Sequence, residues 1–197
     1  MPRIYSYVIT HDHGFAPNPH GGLCTLATCK PVIRRSAQIG DWLFGTGSKS
    51  LHLEGSLIYA AEIDAICTLA EYGADPKYAS KRPSATQDEA SRHGDNIYFK
   101  AYDGEWTQRK NIHHDSSQAQ RDLSGLNVLI ASRFWYFGSS PEKIPCHLLH
   151  IIKKGPGHKC DSSFESLTLM QDWLSFFSPG INAKPMSSGK CGGCKVY

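Results

Sequence analysis

A chain of 197 residues, 40% hydrophobic and 20% charged, has the size and make-up of one sizeable globular domain. Its formal net charge of +3 argues against a non-specific nucleic-acid coat, which needs many phosphate contacts, but leaves room for a local basic patch. No apolar run reaches the roughly 18 residues of a membrane span, and no basic-then-apolar leader opens the chain.

Arg3 to Thr10 reads as a strand, with Tyr5, Tyr7 and Ile9 on one face and Ile4, Ser6 and Val8 on the other. The stretch from His11 to Cys24 cannot be helix. Pro17 and Pro19 fix φ and bias the residues before them towards extended backbone, while Gly14, Gly21 and Gly22 accept positive φ. It reads as a stiff loop holding polar side chains at set angles, where folds tend to keep their chemistry. Cys24 to Cys29 reads as a short strand. Pro31 opens a short helix through Val32, Ile33 and Ala37, with Arg34 and Arg35 facing solvent. After a turn at Ile39-Gly40-Asp41, Trp42 to Gly45 is a strand and Gly45 to Lys49 a flexible loop. Leu57 to Ile63 is a further strand.

Asp75-Pro76 suits the cap and first position of a short helix containing Tyr78. Pro83 to Gly94 reads as an exposed loop, Asn96 to Ala101 as a strand, and Gly104 to Asp122 as polar and turn-rich. Asn127 to Ser132 is a buried strand that Arg133 to Gly138 extends. Cys146 to Lys154 is helix or strand. Ser162-x-x-Glu165 is a capping box ahead of an apolar stripe at Phe164, Leu167, Met170, Leu174 and Phe177, stopped by Pro179-Gly180. These elements predict one domain over residues 1–180, followed by a flexible basic tail over 181–197. Strands come in runs, which predicts an α+β fold with a mixed or antiparallel, strongly bent sheet and peripheral helices.

Phosphate-loop, dinucleotide-binding, zinc-protease and nucleophile-elbow motifs are all missing, and no cofactor is expected. The tail pair Cys191 and Cys194 lacks the second pair that a structural zinc site needs, so no metal is expected either. The seven cysteines are odd in number and scattered, which suits free thiols in the cytoplasm. His11, Asp12 and His13 read either as a titratable surface loop or as a source of acid–base chemistry by Asp12 with a distant histidine such as His113 or His158. Lys30, Arg34 and Arg35 suit either a solvated helix face or a phosphate. Cys24 is either a nucleophile activated by those cations or a buried inert thiol. Phe134 to Phe137 suit a core, or a stacking surface for a base.

The run Asp12-His13-Gly14-Phe15-Ala16-Pro17-Asn18-Pro19 is followed by Cys24-Thr25-Leu26-Ala27, Cys29-Lys30-Pro31, Ile33-Arg34-Arg35 and Gly40-Asp41-Trp42. Later come Tyr72, Asp75-Pro76, Lys81-Arg82-Pro83, Gly94-Asp95-Asn96-Ile97-Tyr98, Phe134 to Gly138, and Gly157-His158. In this order the blocks resemble the second of the nucleotide-modification-associated domain families, over roughly residues 3–178. The resemblance implies an α+β domain of bacteria and phages, associated with enzymes that modify bases in DNA, and no established reaction. Its recurrent polar positions fall on Asp12, Asn18, Cys24, Lys30, Arg34, Arg35, Asp41, Asp95, His113 and His158, with His114 the alternative to His113. Gly40 to Phe44, a glycine turn and Leu57 to Glu62 are also similar to the core of PUA-like barrels, which implies a small barrel holding a base.

The expectation is an enzyme acting on a nucleotide or nucleic-acid base, DNA included, with no membrane partner and the oligomeric state open. Asp12, Cys24, His113 and His158 are the candidate catalytic residues. Asn18, Lys30, Arg34, Arg35, Asp95, Asn96 and Tyr136 are the candidate substrate and phosphate contacts. The alternative is a non-catalytic module that reads a modified base, with Trp135 or Tyr136 stacking and Asp95 or Asn96 on the base edge.

Overall fold

In the computed structural model, which describes residues 1–85 and 88–187, the elements in chain order are β1 (Ile4–Ile9), β2 (Cys24–Leu26), α1 (Pro31–Ser36), β3 (Trp42–Gly47), β4 (Ser56–Glu62), β5 (Ala65–Thr68) and α2 (Leu69–Ala74). They continue as α3 (Glu89–Arg92), β6 (Tyr98–Lys100), β7 (Trp106–Gln108), α4 (Ala119–Leu123), β8 (Asn127–Ala131) and β9 (Arg133–Tyr136). The last are β10 (Glu142–Lys143), β11 (His158–Asp161), α5 (Phe164–Leu174) and β12 (Gly180–Ile181). The largest sheet runs β11-β1-β3-β4-β9-β12, with β10 also paired to β4. β1 with β3 and β9 with β12 are parallel; the other pairs are antiparallel. A second sheet runs β2-β8-β5, and β6 with β7 forms a hairpin. The sheets are open, so the fold is α+β and the small closed barrel is not formed.

Alternation along the strands explains the layering, because successive side chains point to opposite faces. Tyr5, Tyr7, Ile9, Leu43, Tyr59, Phe134 and Tyr136 form a core with Cys24, Leu26, Leu129 and Ala131 of the second sheet and Ile33 of α1. Ile4, Trp42, Phe44, Leu57, Ala60 and Trp135 form another core with Leu167, Met170 and Leu174 of α5. The large sheet is thus covered on both faces.

Several sequence expectations change. Arg133 to Tyr136 does not prolong β8: the chain turns at Ser132, whose N–H donates to Asp64 Oδ2 at 2.6 Å, and enters the other sheet. Gly45 to Gly47 stays in β3, paired with Tyr7 to Ile9, and only Lys49–Leu51 forms a single 3-10 turn. The stretch from Cys146 begins with a 3-10 turn, Cys146–Leu148. α5 is capped by Ser163 rather than Ser162, with its side chain accepting from Ser166 N at 3.3 Å. Phe164 is exposed instead of joining the apolar stripe. α3 and the buried His93 lie within the stretch expected to be an exposed loop. β5 and α2 carried no sequence expectation; α2 begins at a capping box of Thr68 and Glu71. Beyond 180 the chain lies along the sheet. Ile181 pairs with Tyr136, Ser139 N donates to Lys184 O at 2.8 Å, and Ser187 N donates to Asp12 O at 3.1 Å. Cys191 and Cys194 lie outside the described residues.

Candidate functional site

The proline-rich loop is fastened from within by Asn18. Its backbone pairs with Thr25 in both directions, N–H to O at 2.8 and 2.9 Å. Its amide nitrogen donates to Gly14 O at 3.0 Å and His93 O at 2.9 Å, and its Oδ1 accepts from Lys81 Nζ at 2.8 Å. Lys81 Nζ also donates to Leu23 O at 2.6 Å. Asp95 accepts from Thr25 Oγ1 and Tyr72 Oη, both at 2.7 Å. Asn96 donates to Tyr72 O at 2.7 Å and accepts from Arg109 at 3.1 Å. Burial lowers the Lys81 ammonium and raises the Asp95 carboxyl, and each charge opposes the shift of the other. Asn18 and Asp95 are therefore occupied in holding the loop, and Asn96 in joining Tyr72 and Tyr78 to Arg109.

Asp12 is buried, accepting from Tyr136 Oη, Gly14 N and Met186 N. Burial raises its carboxyl, against the Tyr136 hydrogen bond. Burial also pushes the Cys24 thiol up to about 12. A thiolate is the nucleophilic form, so Cys24 at neutral pH is a core thiol. Tyr136 and Trp135 are buried in the two cores, on opposite faces of the sheet, and do not offer a stacking platform at the surface. His158, on β11, sits opposite Tyr7 in register and 5.8 Å from the Tyr5 ring. Burial and then the charge of Lys30 push its imidazole down. The Lys30 ammonium lies 4.7 Å from the centre of the Tyr7 ring. Among the described residues, no hydrogen bond joins Asp12 or Cys24 to His158.

Arg34 is where the expected phosphate patch changes most. It is completely buried. Its guanidinium donates to four backbone carbonyls, those of Cys29 (2.8 Å), Asp122, Gly125 and Asn127 (3.1 Å). The fork of fixed donors ties the bend at Cys29 to the chain from the end of α4 to the start of β8. Arg35 next to it is exposed and donates to Ser124 O at 2.7 Å. The three cations of the sequence patch divide into one core residue, one exposed residue and Lys30 on Tyr7.

The groups that do converge come from two distant segments, Cys29 on one and His114 and Asp122, eight residues apart, on the other. Cys29 Sγ lies 3.6 Å from His114 Nε2, and His114 Nδ1 lies 2.7 Å from Asp122 Oδ2. Asp122 Oδ1 accepts from Cys29 N at 2.8 Å, and Oδ2 accepts from Tyr98 Oη at 3.1 Å. Asp122 and His114 are buried, while Cys29 is half-buried. The turn carrying His114 is pinned by Asn111 Oδ1, which accepts from His113 N at 2.9 Å and His114 N at 2.7 Å. Cys29, His114, Gln118, Arg121 and Asp122 line a depression of about 10 Å³, room for about one water molecule.

Beside it lies an imidazole cluster. His113 Nε2 is 2.8 Å from His93 Nδ1, and His93 Nε2 is 3.3 Å from Glu89 Oε1. Phe15 of the loop stacks on His113 at 4.4 Å and meets His114 edge-on at 4.9 Å. His13 lies 5.4 Å from His113. Among the described residues, no group of three or more His, Cys, Asp or Glu side chains could hold a metal ion. Sequence reading held His114 only as an alternative to His113 and missed Cys29, His93 and Asp122. Cys29 and Asp122 are 93 residues apart, so no local spacing pairs them. The one local signal was Cys29-Lys30-Pro31, where two non-glycine residues precede a helix.

The fold and this junction define an open α+β domain with a thiol, an imidazole and a carboxylate in contact beside a rigid loop. The chain belongs to the family described as nucleotide modification associated domain 2, which matches residues 1–190. No curated protein and no solved structure matches it. The family places the chain in a nucleotide-modification setting. Among the described residues, no helix is long and apolar enough to cross a membrane.

Proposed function

We propose that the protein is an enzyme of nucleotide or nucleic-acid base modification. Its working groups are Cys29, His113, His114 and Asp122, at the edge of the Asp12–Pro19 loop. The observation that carries this reading is the convergence of Cys29, His114 and Asp122 at a half-buried position. A module that only reads a base has little use for a thiol against an imidazole backed by a carboxylate. Lys30, Arg35 and Arg121 lie on the same segments and supply positive charge for a phosphate. Asp12 holds the loop through Tyr136 and Gly14, a positioning role.

The test compares free nucleotides and hydrolysed DNA nucleosides, by untargeted mass spectrometry, from cells expressing the wild type or Cys29→Ala. The expected result is a nucleotide or nucleoside species whose level changes with the wild type and not with the variant. Identical pools in both would overturn the reading.

A further inference from the structure

We infer that Cys29 is the nucleophile of an acyl-transfer reaction, with His114 as its base and Asp122 as the group that orients His114. This rests on the enzymatic reading above and names its chemistry. A carboxylate can only accept, so the Asp122 contact at 2.7 Å puts the His114 proton on Nδ1. That leaves the Nε2 lone pair facing the thiol at 3.6 Å. The imidazole is thereby in the tautomer that can take the thiol proton. The same carboxylate accepts from the backbone N–H of Cys29 at 2.8 Å, so one buried group fixes both partners.

The backbone adds a second, independent observation. Cys29 has φ of 55° and Lys30 φ of 39°, two consecutive side-chain-bearing residues in the left-handed region. Such a conformation is costly away from glycine and tends to be kept where a side chain must be aimed. Here it is clamped from both sides, by Asp122 on Cys29 N and by buried Arg34 on Cys29 O.

The reaction class follows from what the three groups can do without a co-reactant other than water. Sγ attacks the carbonyl carbon of an amide or ester, and a C–S bond forms. The thiol proton passes to His114 Nε2 and from there to the departing amine or alcohol as the C–N or C–O bond breaks. Water then attacks the thioester, giving up a proton to His114. The C–S bond breaks, and the thiolate takes that proton back. The products are the carboxylic acid and the free amine or alcohol. The depression admits about one water-sized group, so a substrate offers its carbonyl at the rim, with the nucleotide outside. The substrate class is a nucleotide carrying an acyl group on an exocyclic amine or hydroxyl.

The experiment measures carbamidomethylation of each cysteine of the full chain by iodoacetamide across pH 5.5–9.5, read by peptide mapping. Exposed Cys146 and Cys160 are the internal references. Cys29 is expected to react about tenfold or more faster than these at pH 6.5, with its midpoint below the ordinary thiol value of about 8.5. His114→Gln is expected to remove that advantage and return the midpoint to the reference range. With p-nitrophenyl acetate, the wild type is expected to gain one acetyl group on Cys29, and Cys29→Ser none that turns over. With N-acetylated deoxycytidine monophosphate, release of acetate is expected. A Cys29 profile matching Cys146 in the wild-type chain overturns the relay, whatever becomes of the variants. Acetylation of Cys29 with unchanged cellular nucleotide pools supports the relay and overturns the nucleotide reading alone.

Discussion

Two clusters in this molecule set a buried carboxylate against a nitrogen base, and they differ in where their hydrogen bonds lead. Asp95 is answered by Thr25 and Tyr72, with the charge of Lys81 close by, and all four are buried. The bonds of Asp95 end on interior groups, so its product is a fixed loop. Asp122 is answered by His114, Tyr98 and the backbone of Cys29, and from there the contacts lead outward to a half-buried thiol. Polar groups of similar chemistry serve as structure when their network closes inside, and as a candidate site when it reaches a rim. Asn18, Asp95 and Arg34, expected from the sequence as site residues, belong to the first kind.

The hardest test of this comparison is Lys81→Met. The change leaves the buried acceptors Asn18 O, Asn18 Oδ1 and Leu23 O without their donor, and an unsatisfied buried polar group costs about 1–3 kcal/mol. The loss is read from urea unfolding at pH 7. Cys29 alkylation under native conditions should be unchanged, because Lys81 serves the interior cluster only. A loss under about 1 kcal/mol would mean that water replaces the ammonium at these oxygens, and the cluster is then not closed inside.

A smaller effect is expected from acid. Burial, followed by the charges of Lys81 and His93, pushes His20 down from 6.5 to about 4. Burial lowers His13 as well. For such groups the unfolded chain binds more protons between the two values, so their stabilisation is complete above 6.5 and lost as pH falls towards 4. At 1.36 kcal/mol per unit the His20 shift has a ceiling of about 3 kcal/mol, and solvent screening of a partly exposed ring reduces it to about 1–2. Asp12 and Asp95 act in the opposite sense. Their raised values mean that the folded chain holds protons that the unfolded chain has lost, so the same acidification returns some stability. The expected result is a net fall of urea midpoint between pH 7 and pH 4.5, abolished in part by His20→Phe. A midpoint that rises over this interval would show the carboxylates dominating the loop.

Much of the fold was legible because it depends on short-range pattern. The alternation of Tyr5, Tyr7 and Ile9 against Ile4 does separate two cores, and Leu167, Met170 and Leu174 do face the sheet. The Asp12–Pro19 run was readable as a rigid loop from its prolines and glycines, but not its fasteners, since Lys81 and His93 arrive from more than sixty residues away. The site was less legible for the same reason. Arg34 and Arg35 sit side by side in a six-residue helix, and a helical face cannot say which of them meets carbonyls about ninety residues downstream. Cys24 stood out beside two glycines, yet β2 carries it into the core, while Cys29 stands at the bend where the chain leaves the sheet.

That same pair of arginines supplies the finest test. Arg35 is exposed, and its single hydrogen bond, to Ser124 O at 2.7 Å, competes with water. Arg35→Ala should therefore change the unfolding free energy by no more than about 0.5 kcal/mol, the usual range for surface positions. Cys29 alkylation should also be unmoved, because the clamp on Cys29 O belongs to Arg34. A cost above about 1.5 kcal/mol in the same urea titration would mean that this exposed side is as integral to folding as the Asp95 cluster. Rim and interior would then be one cooperative unit, and exposure would no longer separate the residues that build this domain from those that act.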